Sequence, residues 1–153
     1  MYSSSIFTKV SKIARSLDTG INRRLAPHGI YESQWVMLNA IHDLGPTTVT
    51  NLSNALIIKP PTVTKTINRL EKLGYVKRVA GKNKKEREIA LTDLSREKLG
   101  FWNGLVKHYH ESLLQSYSAE ELRQLESLVD RFLLKAEELE DVTKEKDQYS
   151  NQN

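Results

Sequence analysis

Thr62, Lys65 and Arg69 stand three and four residues apart, so on a helix they share one face, with Thr64 and Asn68 at its margins. These residue types can read nucleic acid. Lysine and arginine reach guanine edges or phosphates, asparagine pairs with adenine, and threonine donates or accepts. A second cationic group follows at Lys82, Lys84 and Lys85, with Arg87 just beyond. A flexible arm carrying them can track phosphates or enter a minor groove. From Lys59 to Arg87 ten residues are basic and two acidic, giving +8 in 29 residues against +4 for the whole chain, which leaves −4 elsewhere. A positive centre between acidic flanks suits one localised anionic partner. On charge alone, a solvated basic face is the alternative.

Other chemistry is thinly supplied. The chain has no cysteine, which removes disulfides, thiol catalysis and thiolate metal sites together. His108 and His110 point apart on a helix, and Glu111 is the one carboxylate at a useful spacing from His108. A zinc site gathers more ligands than that, so no metal and no cofactor is expected. There is no phosphate loop, activated nucleophile or close His/carboxylate pattern, so no enzyme is expected. The 153 residues are 39% hydrophobic and 27% charged, a globular composition. No run of 18 apolar residues occurs, and Met1-Tyr2-Ser3-Ser4-Ser5 lacks the pattern of a secretion signal. A cytoplasmic location is expected.

The elements that must position these residues follow from periodicity. Ile6, Val10, Ile13, Leu17, Ile21 and Leu25 mark a first helix, ended by Pro27-His28-Gly29. A second runs from about Glu32 to Leu44 and stops at Gly45-Pro46. Two short helices follow, Val49 to Leu56 and Pro61 to Leu73, with Gly74 as the stop. Val63, Ile67 and Leu70 would pack the second of these down and leave Thr62, Lys65 and Arg69 outward. The period then changes. Tyr75 to Val79 and Glu88 to Leu91 read as a two-stranded hairpin with a basic tip. A long helix from about Asp93 to Tyr117 has Thr92 as its N-cap, and Ser118 with Glu121 forms a capping box that opens a last helix. Past Asp141 the chain is polar and fraying is expected. The fold class is mainly α with a small β-hairpin wing (α+β). Two short helices joined by a tight turn can hold the second where it enters a major groove.

Three stretches carry a resemblance: Gly29 to Leu38, Pro61 to Val76, and Ile89 to Thr92. In these the chain resembles the MarR family of bacterial winged helix-turn-helix regulators, over roughly residues 5 to 140. The resemblance implies an N-terminal dimerisation helix at residues 1–28 and a winged DNA-binding region at 29–92. It further implies C-terminal dimerisation helices at 93–141 and a polar tail at 142–153. It also implies an intertwined homodimer on double-stranded DNA, with Thr62 to Arg69 on the recognition helix. Such regulators often take a small aromatic effector in a cleft between reader and dimer helices; Trp35, Leu38 and Trp102 are candidates for its walls, or else core residues. Two departures stand out. Family wings usually carry Asp-x-Arg where this chain has Asn83-Lys84-Lys85. Ile57 occupies the turn position where many such motifs have glycine, and because a β-branched residue disfavours positive φ, a different turn geometry is expected. The combined reading is a homodimeric repressor of a pseudo-palindromic operator, released by an effector. The alternatives are a non-specific architectural DNA-binding protein, or a helical adaptor for an acidic partner.

Overall fold

The computed structural model describes residues 5–83 and 85–150, with side chains up to 141. Its elements are α1 (Ile6–Leu25), a 3-10 turn (Ala26–His28), α2 (Glu32–Leu44), α3 (Val49–Leu56), α4 (Pro60–Lys72), β1 (Val76–Ala80), β2 (Arg87–Leu91), α5 (Asp93–Leu114) and α6 (Ala119–Ser150). The chain divides into two units, the first ending at His110 and the second starting at Glu111. It is mainly helical with a two-stranded antiparallel wing.

The core of the first unit is built from the apolar stripes of its helices. Leu25, Ile30, Leu38, Leu52, Val63, Ile67 and Leu70 are completely buried. Each comes from a helix or from the turn before one, so the 3.6-residue period of the sequence is the period of the core. The N-terminal half of α1 is different: Ile6, Phe7, Val10 and Ile13 are all exposed. Further along α1, Gly20 lets the Tyr109 ring of α5 lie directly on the helix, where any Cβ would overlap the phenol. Arg24 then stacks over that ring at 3.9 Å.

The wing is anchored at three places. β1 and β2 pair antiparallel from Val76 opposite Leu91 to Ala80 opposite Arg87. Thr47 adds a third, one-residue strand: its N–H donates to the Ile89 carbonyl (3.0 Å) and its carbonyl accepts from the Ile89 N–H (2.7 Å). That ties the α2–α3 connection to β2. The start of α5 supplies the last anchor. Thr92 Oγ1 accepts from the Ser95 N–H (3.3 Å) and donates to the Gly74 carbonyl (2.6 Å), while the buried Ser95 hydroxyl donates to the Tyr75 carbonyl (2.7 Å). The end of α4 is thereby fastened to the beginning of α5.

The turn between α3 and α4 corrects the sequence expectation. Ile57 does adopt the left-handed conformation, φ 54° and ψ 46°, at the position where glycine is usual. The turn keeps its geometry because its ends are held: the Ile58 N–H donates to the Ser53 carbonyl (3.1 Å) and the Ser53 hydroxyl donates to the Ile58 carbonyl. Left-handed backbone costs an L-residue about 1–2 kcal/mol. The Ile57 side chain is two-thirds exposed and recovers little of that. Ile57→Asn, which tolerates the left-handed region, should therefore raise stability by about 1 kcal/mol. A lower melting temperature would instead show that the isoleucine packs better than its exposure indicates.

Element ends differ in three further places. α4 starts one residue early, at Pro60 after the N-cap Lys59, with both prolines in the first turn where no N–H is needed. α5 ends at Leu114 rather than near Tyr117, because Ser118 must leave helical geometry to cap the next helix. The cap is complete: the Glu121 N–H donates to Ser118 Oγ (3.1 Å) and the Ser118 N–H donates to Glu121 Oε2 (2.8 Å). α6 continues to Ser150, past the point where fraying is expected, and no glycine or proline interrupts it. In this second unit Leu125, Leu128, Val129, Phe132 and Leu133 are exposed.

Candidate nucleic-acid interface

α4 has two faces of opposite character. Val63, Ile67 and Leu70 are fully buried, which leaves no rotational freedom about the helix axis. The remaining side chains must face out, and Thr62, Thr64, Lys65, Asn68 and Arg69 are all exposed. The recognition-helix candidates are thus brought onto one side of one rigid element. Thr66 is partly buried and donates back to the Thr62 carbonyl (3.1 Å), so it is occupied within the helix.

The wing presents Lys82, Lys85 and Arg87, all exposed; Lys84 lies outside the described residues. The tip is closed by the backbone. The Gly81 N–H donates to the Glu86 carbonyl (3.1 Å), and the Glu86 N–H donates to the Asn83 carbonyl (3.1 Å). A side chain at Gly81 would collide with that Glu86 carbonyl, so the tight closure requires glycine here. Asn83 therefore shapes the tip through its backbone. Among the described residues, no ion pair involves Lys82, Lys85 or Arg87.

Sequence reasoning missed Arg78. From β1 its Nη2 donates to Asn68 Oδ1 (3.0 Å), and its Nε faces Glu71 Oε2 at 3.5 Å. One guanidinium thus holds two residues of α4 a turn apart. The available signal was the Asn68–Glu71 spacing, three apart beside a basic strand. Thr47 and Ser95 were missed as well; neither belongs to a motif.

The effector candidates do not form one open wall. Leu38 is completely buried and Trp102 is 2% exposed, its ring packed edge-to-face on Tyr75 at 5.2 Å. A ligand would have to displace core packing to touch either. Trp35 alone is partly open. Its Nε1 donates to Asn103 Oδ1 (2.7 Å), Asn103 Nδ2 donates to Asn39 Oδ1 (3.0 Å), and Asn39 Nδ2 returns to the Trp35 carbonyl (2.9 Å). That closed ring of bonds ties α2 to α5.

This geometry, a helix-turn-helix followed by a hairpin wing, defines a class. The MarR family model matches residues 30–86. The uncharacterized HTH-type transcriptional regulator YwoH of Bacillus subtilis (strain 168) is 33% identical over 125 residues, covering 82% of this chain and 91% of that protein. The chain belongs to the MarR family of winged helix-turn-helix transcription regulators, a family of regulators rather than enzymes. Solved structures agree on the fold. The S. aureus MepR–DNA complex has a TM-score of 0.79 at 18% identity, over 86% of this chain and 96% of that one. Wild-type apo MarR from E. coli has 0.72 at 24% identity, over 84% and 97%. An E. coli MarR mutant complexed with operator DNA has 0.76 at 23%, over 85% and 99%. No helix among the described residues is long and apolar enough to cross a membrane.

Proposed function

We propose that this protein is a homodimeric, sequence-specific repressor that binds a pseudo-palindromic operator and is released by a small effector. The observation that carries the reading is the exposed Thr62–Arg69 face of α4 beside a wing of exposed cations. Related proteins of the same fold have been crystallised with DNA, which supports it. Two copies would set two α4 helices in successive major grooves, about 10 base pairs apart. Wing lysines would supply phosphate contacts and salt sensitivity, and α4 the sequence choice. The exposed apolar residues of α1 and α6 support a second copy as their cover.

The test is equilibrium binding to the DNA upstream of its own gene against a scrambled duplex of equal length. A preference of about a thousandfold is expected of a specific regulator. Equal weak binding to both would remove the specific reading, and no binding to either would remove DNA altogether. Lys65→Ala should weaken operator binding by about 1–3 kcal/mol while sparing random DNA; an equal loss on both would make Lys65 a phosphate contact. Replacing Lys82 and Lys85 by alanine should flatten the slope of log affinity against log salt by about 2 per protomer. An unchanged slope would take the wing off the backbone. The effector step predicts that some small aromatic ligand lowers operator affinity, and a broad panel without effect would remove it.

A further inference from the structure

Arg78 bears on which base Asn68 can read. A guanidinium carries only donors, so the group facing it must be the amide oxygen, whichever way the Asn68 amide would otherwise turn. Oδ1 accepts from Arg78 Nη2 at 3.0 Å, and Glu71, facing Arg78 Nε at 3.5 Å, keeps the guanidinium in place. Arg78 is partly buried while Asn68 is exposed, so the anchor is the more fixed of the two. The Nδ2 group is left with two donors.

Reading adenine takes both ends of an asparagine amide, with Oδ1 accepting from N6–H and Nδ2 donating to N7. Here the oxygen is engaged, and the positive charge beside it opposes a further donor. Guanine presents two acceptors, N7 and O6, on the same edge, and cytosine presents an N4–H donor. We propose that Arg78 is a positioning residue that holds Asn68 as a hydrogen-bond donor, so that the base facing residue 68 in each half-site is guanine rather than adenine. The proposal rests on α4 being the operator-reading helix. Within that reading it assigns a specificity to one position and makes a strand residue responsible for it.

The test is selection of bound sequences from a random duplex library by the full-length protein. Wild type should select guanine over adenine by about tenfold at one position per half-site, and Asn68→Ala should erase the preference there alone. Arg78→Met, which frees Oδ1, should shift that same position to adenine and leave the others unchanged. Circular dichroism checks that this variant is folded, and Arg78→Leu, which likewise removes the charge and every side-chain donor, is the second route to the same release. A position that depends on Asn68 but is adenine in wild type overturns the inference. So does one that stays guanine in folded Arg78 variants, or the absence of any Asn68-dependent position within a well-defined operator. A wild type that selects no sequence overturns the operator reading itself, and this inference with it.

Discussion

Trp102→Ala should destabilise the protein by about 3–5 kcal/mol, the largest loss expected from any single truncation in the first unit. Trp102 is the largest fully buried side chain. Its indole packs edge-to-face on Tyr75, with ring centroids 5.2 Å apart and planes at 79°, an arrangement that adds about 0.5–1.5 kcal/mol to simple burial. Tyr75 also stands where α4 gives way to β1, and its carbonyl receives the Ser95 hydroxyl (2.7 Å) and the Thr92 N–H (3.2 Å). Loss of the indole therefore opens a cavity under the junction that seats α4. A whole domain is stable by about 5–15 kcal/mol, so the effect is a large share of the total. Urea denaturation at fixed protein concentration measures it, with exposed Leu94→Ala on the same helix as the control. A loss below about 1 kcal/mol would show that the pocket around Trp102 can collapse.

Val129→Asp should turn a dimer into a monomer and lower operator affinity about a hundredfold or more. Leu125, Val129, Phe132 and Leu133 recur at helical spacing on α6, and all are about half exposed in the single chain, with 44% for Phe132 the lowest. A carboxylate at the middle of that stripe costs the single chain little, because Val129 is 54% exposed there. In an interface it would be an unpaired buried charge. The loss on DNA follows from linkage: two half-site contacts on one dimer gain about 10²–10⁴ over either alone. Sedimentation at micromolar concentration and operator titration measure the two effects separately. A persistent dimer would place the seam away from α6. A monomer with unchanged affinity would mean that one copy suffices to read the DNA.

Much of this was legible in the chain because helix and strand periods are local. The bounds of α2 and α3 coincide with the stretches read from apolar spacing and from the Gly45-Pro46 stop. The exposure of Thr62, Thr64, Lys65, Asn68 and Arg69 follows from the burial of Val63, Ile67 and Leu70, since a helix that buries one stripe must turn the other outward. Ser118 and Glu121 could be read as a cap because both partners lie within one turn.

What the chain alone left open is what joins residues distant in sequence. Ile57 looked unfit for a left-handed turn, and its local preference is indeed unfavourable. The packing of α3 and α4 into one core overrides about 1–2 kcal/mol of backbone strain. Leu38 and Trp102 could face a cleft or pack a core, the core being the readier reading for an apolar side chain; both lie buried in the core. Thr47 joins Ile89 across more than forty residues, and Arg78 joins Asn68 only because β1 folds back along α4. Residue types and spacing determined which side chains could face a nucleic acid. Tertiary packing decided which atoms of those side chains remain available, because a hydrogen bond depends on where the partner lies in space.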